Sequence, residues 1–158
     1  MILGLGSDLC DIRRIEAAIA RYGDRFLDRV FTPEERAEAL TRVPEERPAT
    51  FAKRFAAKEA AAKALGTGFR HGVFFADLGV VTLPGGQPVL RMQGGAADRL
   101  AALAPPGLAP QVAVSMADEY PYAFAQVIIA AIAVPIAMPA SPHGAPSSAP
   151  SDPPAPVA

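Results

Sequence analysis

The segment FAKRFAAKEAAAKALGTG, residues 51–68, constrains the fold and the chemistry of this chain more than any other. It predicts an Ala- and Phe-rich helix that carries one acid among four bases. Glu59 and Lys63 share one helix face at a spacing of four, and Phe51 and Phe55 have the spacing needed to anchor the helix to a core. An acid beside bases suits a metal ion and a polyphosphate, but the same residues also fit a solvated surface pair. The helix alone leaves both interpretations open.

The N-terminal residues, MILGLGSDLCDIRRIE, favour a functional site. They begin with a strand-like apolar run that contains Gly4 and Gly6 and ends near Asp8. Because glycine weakens a strand, its presence indicates that another backbone or a ligand comes close. Asp11 is placed to cap the helix that follows, whereas Asp8 lies too early for that role. Asp8 is therefore a candidate site residue.

Four segments together resemble the holo-acyl-carrier-protein synthase family, the small phosphopantetheinyl transferases that load carrier proteins from coenzyme A. The resemblance covers the chain from Met1 to about Ala131. Its most specific part is the segment at 54–68, whereas GLGSD alone is weak. The segments are GLGSDLCDIRRI at 4–15, FTPEE at 31–35, RFAAKEAAAKALGTG at 54–68 and FADLGV at 75–80.

The resemblance implies transfer of 4′-phosphopantetheine from coenzyme A to a serine of apo acyl carrier protein, with release of 3′,5′-ADP, in support of fatty acid biosynthesis. It assigns Asp8 and Glu59 to a magnesium ion held against the pyrophosphate, since Mg²⁺ prefers one or two carboxylates plus waters and phosphate oxygens. The nucleophile belongs to the carrier protein. Four further residues are implied as coenzyme A or phosphate contacts: Arg54, Lys58, Lys63 and Gly66.

The general base is identified less directly than the metal ligands. We expect Glu59 to take the serine proton through a water on the metal. The family's C-terminal strand often ends in Ser-hydrophobic-Ser/Thr-His, and in Ser115–Asp118 of this chain an aspartate stands in place of that histidine. Asp118 is a candidate for a substitute base, a coenzyme contact or a solvated turn residue. Neither His71, in a loop, nor His143, in the tail, takes over the role.

Acyl carrier proteins are acidic beside their modified serine, so the resemblance implies a basic docking face. In the family the first helix meets the carrier, which implicates Arg14, with Arg21 and Arg25 as weaker candidates and Phe26 as an apolar contact. An ordinary solvated arginine face is the alternative. The resemblance also implies a homotrimer in which each active site is completed across a subunit boundary.

Local patterns predict an α+β fold in which an antiparallel sheet packs against the long helix. Residues 12–22 read as an amphipathic helix ended by Gly23. Thr32–Glu35 is a capping box that begins a helix to about Val43, and Pro44 and Pro48 bracket a loop. The remaining predicted elements are strands at 77–83 and 89–92 joined by a hairpin, a short helix at 95–103, and strands at 111–117 and 122–130.

Composition agrees with one compact enzyme domain. The chain has 158 residues, 51% of them hydrophobic, and its net charge of −1 gives no global basic field for nucleic acid. Cys10 is the single cysteine, and we expect a small buried residue in a reducing cytoplasm. No secretory signal is expected, because Asp8 and Asp11 interrupt the first apolar run.

We place a phosphopantetheinyl transferase domain at residues 1–132 and a disordered tail at 133–158. Eight of the 24 residues from Pro135 onward are proline, mixed with Ala and Ser, a composition that cannot build a core. The apolar run at 122–138 is not expected to span a membrane, since it is short, contains Gln126 and lacks flanking basic residues.

Two other functions use the same residues. A metal-dependent phosphohydrolase would employ the same carboxylates and bases with water as the nucleophile, and would release 3′,5′-ADP without carrier protein. A non-catalytic carrier-binding module predicts that alanine variants of Asp8 and Glu59 bind coenzyme A as well as the parent does, with or without magnesium.

Overall fold

A long helix lies across a three-stranded antiparallel sheet, and these two units position the candidate site. The computed structural model describes residues 1–133, and its mixed helices and antiparallel strands confirm the predicted α+β class. The strands are β1 (Ile2–Asp11), β2 (Leu78–Thr82), β3 (Pro88–Met92), β4 (Leu108–Glu119) and β5 (Tyr122–Ala133). The helices are α1 (Ile12–Tyr22), α2 (Asp24–Val30), α3 (Pro33–Leu40), α4 (Arg47–Ala64) and α5 (Gly94–Leu103), with 3₁₀ turns at Pro44–Glu46 and Phe75–Asp77.

The main sheet has the strand order β1–β5–β4, with both pairs antiparallel. Ala125 of the central strand lies opposite Asp8 on one side and opposite Met116 on the other. Directly opposed residues point to the same face of a sheet, and Ala125 is fully buried under α4. Asp8 therefore faces α4. The other two strands form the predicted hairpin as a separate two-stranded sheet.

Two glycines let β1 approach the backbone of α4 closely. A Cβ atom at Gly4 would overlap the carbonyl oxygen of Ala64, and a Cβ atom at Gly6 would overlap that of Ala60. The close approach predicted from these glycines is confirmed, and the neighbour is a helix backbone. β1 is consequently held tightly against the helix that carries Glu59.

The predicted helix caps are present. Asp11 accepts a hydrogen bond from the backbone amide of Arg13 at the start of α1, and Gly23 follows its end. Thr32 and Glu35 form the predicted capping box of α3. The helix predicted at 95–103 and the strands predicted at 111–117 and 122–130 are confirmed with longer bounds.

Two boundaries and one helix differ from the prediction. α3 ends at Leu40 rather than near Val43, because the chain tightens there and the Thr41 amide donates back to the carbonyls of the last turn. Pro48 lies in the first turn of α4 rather than at the end of a loop, a position where its missing amide breaks no helical hydrogen bond. α2 was not predicted, because seven residues are too few to establish a helical period.

The core fills the space between α4 and the main sheet. It contains the alanines of α4 from Ala52 onward together with Phe51, Val127 and Ile129, all buried, while Phe55 is partly buried against it. Cys10 is buried as predicted, and this burial, assisted by the nearby charge of Asp8, raises the pKa of its thiol to about 11.

Within residues 1–133, none of the helices has both the length and the apolar character that crossing a bilayer requires. The domain boundary was predicted at residue 132, and β5 continues to Ala133. The rest of the predicted tail, with His143, lies outside the described residues.

Candidate active site

Asp8, Glu59 and Lys63 come together where β1 packs against the C-terminal half of α4. The Lys63 ammonium donates to Asp8 Oδ1 at 2.7 Å and to the carbonyl oxygen of Ser7 at 2.9 Å. Burial raises the pKa of Glu59, and the charge of Asp8 raises it further, while Lys63 opposes the shift. The two carboxylates are thus near enough to repel each other. Lys63 is paired with Asp8 rather than with Glu59, its neighbour on the helix.

Two neighbouring carboxylates suit a hard divalent cation. Within residues 1–133 there is no group of three or more His, Cys, Asp or Glu side chains arranged to hold a metal ion. Mg²⁺ usually binds one or two carboxylates and completes its octahedron with waters and substrate phosphates. The Asp8–Glu59 pair therefore fits Mg²⁺ that arrives with a phosphate ligand, and it does not fit a metal that needs an all-protein cage.

Arg54 lies in a cavity of about 420 Å³ on another side of α4. Its buried guanidinium binds Glu38 at 2.6 Å and donates to the carbonyl oxygen of Thr50 at 3.1 Å. Among the described residues, Arg54 Nε finds no hydrogen-bond partner. A buried donor without a partner is costly, so its position in a cavity indicates that a polar or anionic ligand belongs there. The cavity walls come from α3, α4, the β2–β3 hairpin and β4, and include Arg42, Lys53, Met116 and Asp118.

Asp118 lines the Arg54 cavity and is paired with Lys53 at 2.6 Å. It stands opposite Ala123 of β5, whereas Asp8 pairs with the far side of the same strand. The two aspartates therefore lie on the outer strands of the main sheet, about 10 Å apart across β5. A single chain does not bring Asp118 together with Asp8 and Glu59.

Lys58 differs from the other basic residues of its segment because it is fully buried. Its ammonium binds Glu35 at 2.7 Å, the carbonyl oxygen of Val30 at 2.6 Å and that of Phe75 at 3.2 Å. An ammonium has three N–H donors, and all of them are used. Lys58 therefore has no donor left for a ligand, and the structure does not support its predicted phosphate contact.

Gly66 lies just after the end of α4, next to the capping residue Leu65. Its φ of 74° lies in the left-handed region, and its amide donates to the carbonyl oxygen of Lys63 at 3.0 Å. A Cβ atom there would meet only the end of the Arg99 side chain, at 3.7 Å. The backbone conformation, rather than a close contact within the chain, explains this glycine. Its contact with coenzyme A stays a prediction.

Arg14, Arg21 and Arg25 are exposed on α1 and α2. Of these three arginines, Arg14 is the one close enough to the carboxylates of Asp8 and Glu59 for its charge to lower the pKa of Glu59. Arg29 was not predicted as a site residue. It lies one turn after Arg25, a spacing that carries meaning only once α2 is known to be a helix. A cavity of about 300 Å³ is lined there by Tyr22, Arg25, Phe26 and Arg29.

The face of the main sheet that points away from α4 is apolar and uncovered in the single chain. Leu5 and Leu9 of β1 are 60% and 62% exposed, and Phe124 of β5 is 42% exposed. Directly opposed positions on the three strands place these side chains on one face. An apolar patch of this kind on a small domain marks an interaction surface.

Comparison with known proteins gives the same family from sequence and from structure. Residues 4–125 match the family model of the 4′-phosphopantetheinyl transferase superfamily. The chain is 62% identical over 135 residues to the holo-[acyl-carrier-protein] synthase of Granulibacter bethesdensis, a match that covers 85% of this chain and 93% of the relative. It is 59% identical over 133 residues to that of Rhodopseudomonas palustris, covering 83% and 96% of the two chains.

Solved structures agree with these sequence matches. The holo-[acyl-carrier-protein] synthase of Neisseria meningitidis superposes with a TM-score of 0.72 at 35% identity, over 82% of this chain and 99% of that one. The enzyme from Bacillus anthracis, crystallised in complex with CoA (3′,5′-ADP), superposes with a TM-score of 0.65 at 32% identity, over 82% and 96%. With the matched fold and the matched residues 4–125, the chain belongs to the 4′-phosphopantetheinyl transferase superfamily and, within it, to the holo-[acyl-carrier-protein] synthases.

Proposed function

We propose that Asp8, Glu59 and Lys63 form the phosphoryl-transfer centre of this synthase. The chain transfers 4′-phosphopantetheine from coenzyme A to a serine of apo acyl carrier protein and releases 3′,5′-ADP. The observation that carries the proposal is the Lys63–Asp8 contact of 2.7 Å beside a Glu59 carboxyl whose pKa is raised by burial and further by the charge of Asp8. Phosphoryl transfer depends mainly on positioning and on cations that neutralise phosphoryl oxygens, and this cluster provides both.

Mg²⁺ is the metal that these residues fit, and Asp8 and Glu59 would hold it through carboxylate oxygens. When bound, the ion supplies neutralisation of the pyrophosphate charge. The position of Glu59 beside Asp8 supports the fit. Burial raises the pKa of Glu59 and the charge of Asp8 raises it further, and a cation beside both carboxylates would offset that repulsion. The side chain of Lys63 is 52% exposed, so its ammonium can reach a phosphate oxygen by rotation about its own bonds.

The transfer itself exchanges one phosphorus–oxygen bond for another. The serine oxygen of the carrier attacks the phosphorus that bears pantetheine, the new ester bond forms, and the bond to the 3′,5′-ADP oxygen breaks. We assign Glu59 as the group that accepts the serine proton, because Lys63 is paired with Asp8 and not with Glu59, the other carboxylate of the centre. Lys63 stabilises charge on the 5′-phosphate of the departing 3′,5′-ADP. Asp118 is too far away within one chain to act on the same serine.

We assign the Arg54 cavity to the phosphates of coenzyme A, with Asp118 at its edge. Lys53, in this cavity, and Lys63, in the transfer centre, are ten residues apart on α4, a rise of about 15 Å, and they pair with opposite edges of the sheet. Within one chain, the residues near the two ends of α4 are therefore too far apart to contact the same pyrophosphate. A neighbouring subunit removes this difficulty, and the uncovered apolar face around Leu5 and Leu9 offers a surface for one. We accordingly propose a homotrimer with active sites shared between subunits.

Subunit complementation tests the shared site. Glu59→Gln and Arg54→Lys, the latter retaining a charge against Glu38, should each be nearly inactive as pure trimers. Mixed and reassembled, the two variants should recover activity in those sites that combine two intact halves. Leu9→Glu should dissociate the assembly in light scattering, with Ala17→Glu, on an exposed position of α1, as a control for added charge. Recovery that never exceeds the sum of the pure variants would contradict shared sites.

We propose that the exposed arginines of α1 and α2 dock the acidic carrier protein. Arg14→Glu should raise the Michaelis constant for the carrier about tenfold or more, because a like charge then faces the carrier. The Michaelis constant for coenzyme A should stay near that of the parent. An unchanged constant for the carrier would remove Arg14 from the docking face.

Release of 3′,5′-ADP tests the reaction class. The transferase predicts release only when apo carrier protein is present, in a ratio of one nucleotide to one modified serine. A phosphohydrolase would release it without the carrier. A non-catalytic binding module would release none under either condition.

We also propose that residues 1–132 carry the activity and that the enzyme acts in the cytoplasm. All proposed site residues, from Asp8 to Asp118, lie inside this range. The single buried thiol of Cys10 suits a reducing compartment.

A further inference from the structure

A fully buried ion pair between Lys58 and Glu35 ties the helix α2 to the helix α4. Both side chains are 0% exposed, and their charged atoms are 2.7 Å apart. The same Lys58 ammonium donates to the carbonyl oxygen of Val30, the last residue of α2, at 2.6 Å, and faces the ring of Phe31 at 5.5 Å. A cation at the C-terminal end of a helix is favourable because the helix dipole is negative there.

Glu35 extends the connection to two other elements. One carboxylate oxygen, Oε2, accepts from the amide of Thr32 at 2.8 Å, and the other, Oε1, accepts from the amide of Val80 at 2.9 Å. The third bond of Lys58 reaches the carbonyl oxygen of Phe75. The pair therefore joins α4 to the end of α2, the start of α3, the Phe75 turn and strand β2, with every polar atom satisfied.

Stability alone does not explain this pair. A buried salt bridge is on average no more stabilising than apolar residues of the same size, because both charges lose their hydration. The pair fixes the placement of α2 relative to α4. Arg25 and Arg29 lie on α2, and Glu59 directly follows Lys58 on α4. α1 holds its own position through the buried Ile12 and Ile15.

We propose that Lys58, supported by Glu35, is a positioning residue that holds α2 in register with α1 so that both helices engage the carrier protein at once. The inference rests on the proposed docking face. If α2 loses its tie to α4, the arginines of α1 still meet the carrier, but those of α2 no longer meet it in the same complex. Affinity for the carrier then falls, while coenzyme A binding does not.

The test uses a paired variant, because Lys58→Met alone would leave Glu35 charged and buried. Glu35→Gln/Lys58→Met removes both charges and the bond to Val30. It should raise the Michaelis constant for apo carrier about tenfold and leave that for coenzyme A within about twofold. The control is Glu35→Gln, which lowers stability by leaving Lys58 without its counter-charge but keeps the bonds from Lys58 to Val30 and Phe75. The carrier constant of this variant should stay within about twofold of the parent. Circular dichroism and light scattering establish that each variant is folded and assembled.

A double-mutant cycle with Arg25→Ala separates positioning from a general loss of structure. Arg25→Ala should weaken carrier binding in the parent and should add little in the Glu35→Gln/Lys58→Met background, because α2 is already disengaged there. Full additivity would overturn the proposal, and so would a paired variant with an unchanged carrier constant.

Hydrogen exchange on the parent enzyme supplies a test that needs no folded variant. Apo carrier should slow exchange in peptides covering residues 30–36 and 78–82, which contain the partners of the buried pair. Unchanged exchange there, with protection confined to α1 and the exposed side of α2, would overturn the proposal. If Arg14→Glu also leaves carrier affinity unchanged, the docking face itself is wrong, which is a separate outcome.

Discussion

Lys58 and Lys63 lie five residues apart on the same helix, yet the fold gives them opposite environments. Lys58 is 0% exposed, and its three donors are committed to Glu35 and two carbonyl oxygens. The side chain of Lys63 is 52% exposed and holds Asp8 and one carbonyl oxygen. Desolvation lowers the pKa of Lys58, and the charge of Glu35 opposes that shift. One lysine is fixed within the structure, and the other is available to a substrate.

The orientation of α4, rather than residue type, therefore decides which lysine is structural and which can contact a substrate. The close approach of β1 at Gly4 and Gly6 places one side of α4 over Asp8. The opposite side then faces α2, α3 and β2, where only a paired and fully bonded charge can be buried. Substitutions at the two lysines should therefore produce different kinds of defect.

Lys58→Met gives the largest expected loss of stability. The substitution leaves Glu35 charged and buried without its partner, which costs about 3–5 kcal/mol in the free energy of unfolding. Urea denaturation at one fixed protein concentration measures the loss, since assembly links stability to concentration. A cost below about 1 kcal/mol would show that the buried pair is not the determinant that its geometry indicates.

Lys63→Met should damage catalysis and spare the fold. We expect kcat to fall about 100-fold, because a cation that stabilises developing negative charge is lost. Stability should change by less than about 1 kcal/mol, as for other exposed ion pairs. Steady-state rates of 3′,5′-ADP release and urea denaturation of the same preparation provide both readings. Equal stability losses for Lys58→Met and Lys63→Met would contradict the division into a structural lysine and a lysine available to substrate.

Glu59→Gln gives the smallest effect, an increase in stability in the absence of metal. The pKa of Glu59 is raised above its ordinary value of 4.5. The favourable contribution of Glu59 to stability is therefore fully present below pH 4.5, and it is lost as the pH rises through the raised pKa of this carboxyl. In EDTA at pH 7 the variant should melt about 1–3 °C higher than the parent.

Melting curves recorded at successively lower pH provide the control for this prediction. The gap between Glu59→Gln and the parent should close as Glu59 becomes protonated. A variant that melts lower than the parent at pH 7 would contradict the repulsion between Asp8 and Glu59.

Local sequence signals predicted most of the fold. Asp11, Thr32 and Glu35 act in caps formed within a few residues of chain, so their patterns are complete in the sequence. The α2 helix was missed because it is short and depends on packing and on the buried Lys58 at its end. Local patterns contain no record of such a contact across 28 residues.

The site was predicted in part for the same reason. Glycines in β1 indicated that a backbone or a ligand lies close to the strand that carries Asp8, whereas the pairing of Asp8 with Glu59 followed from the family resemblance. The sequence could not separate Lys58 from Lys63, because Lys58 directly precedes Glu59 and Lys63 lies one helical turn after it. It also could not place Asp118 opposite Lys53, since that pair depends on the order of β4 and β5 in the sheet.

The most direct test of the central claim is mass spectrometry of apo acyl carrier protein incubated with coenzyme A, Mg²⁺ and the enzyme. We expect the parent to add one phosphopantetheine to each carrier, whereas folded Asp8→Asn and Glu59→Gln should lose about 100- to 1,000-fold in rate. Loading by both variants at the parent's rate would contradict the claim that these two carboxylates form the transfer centre.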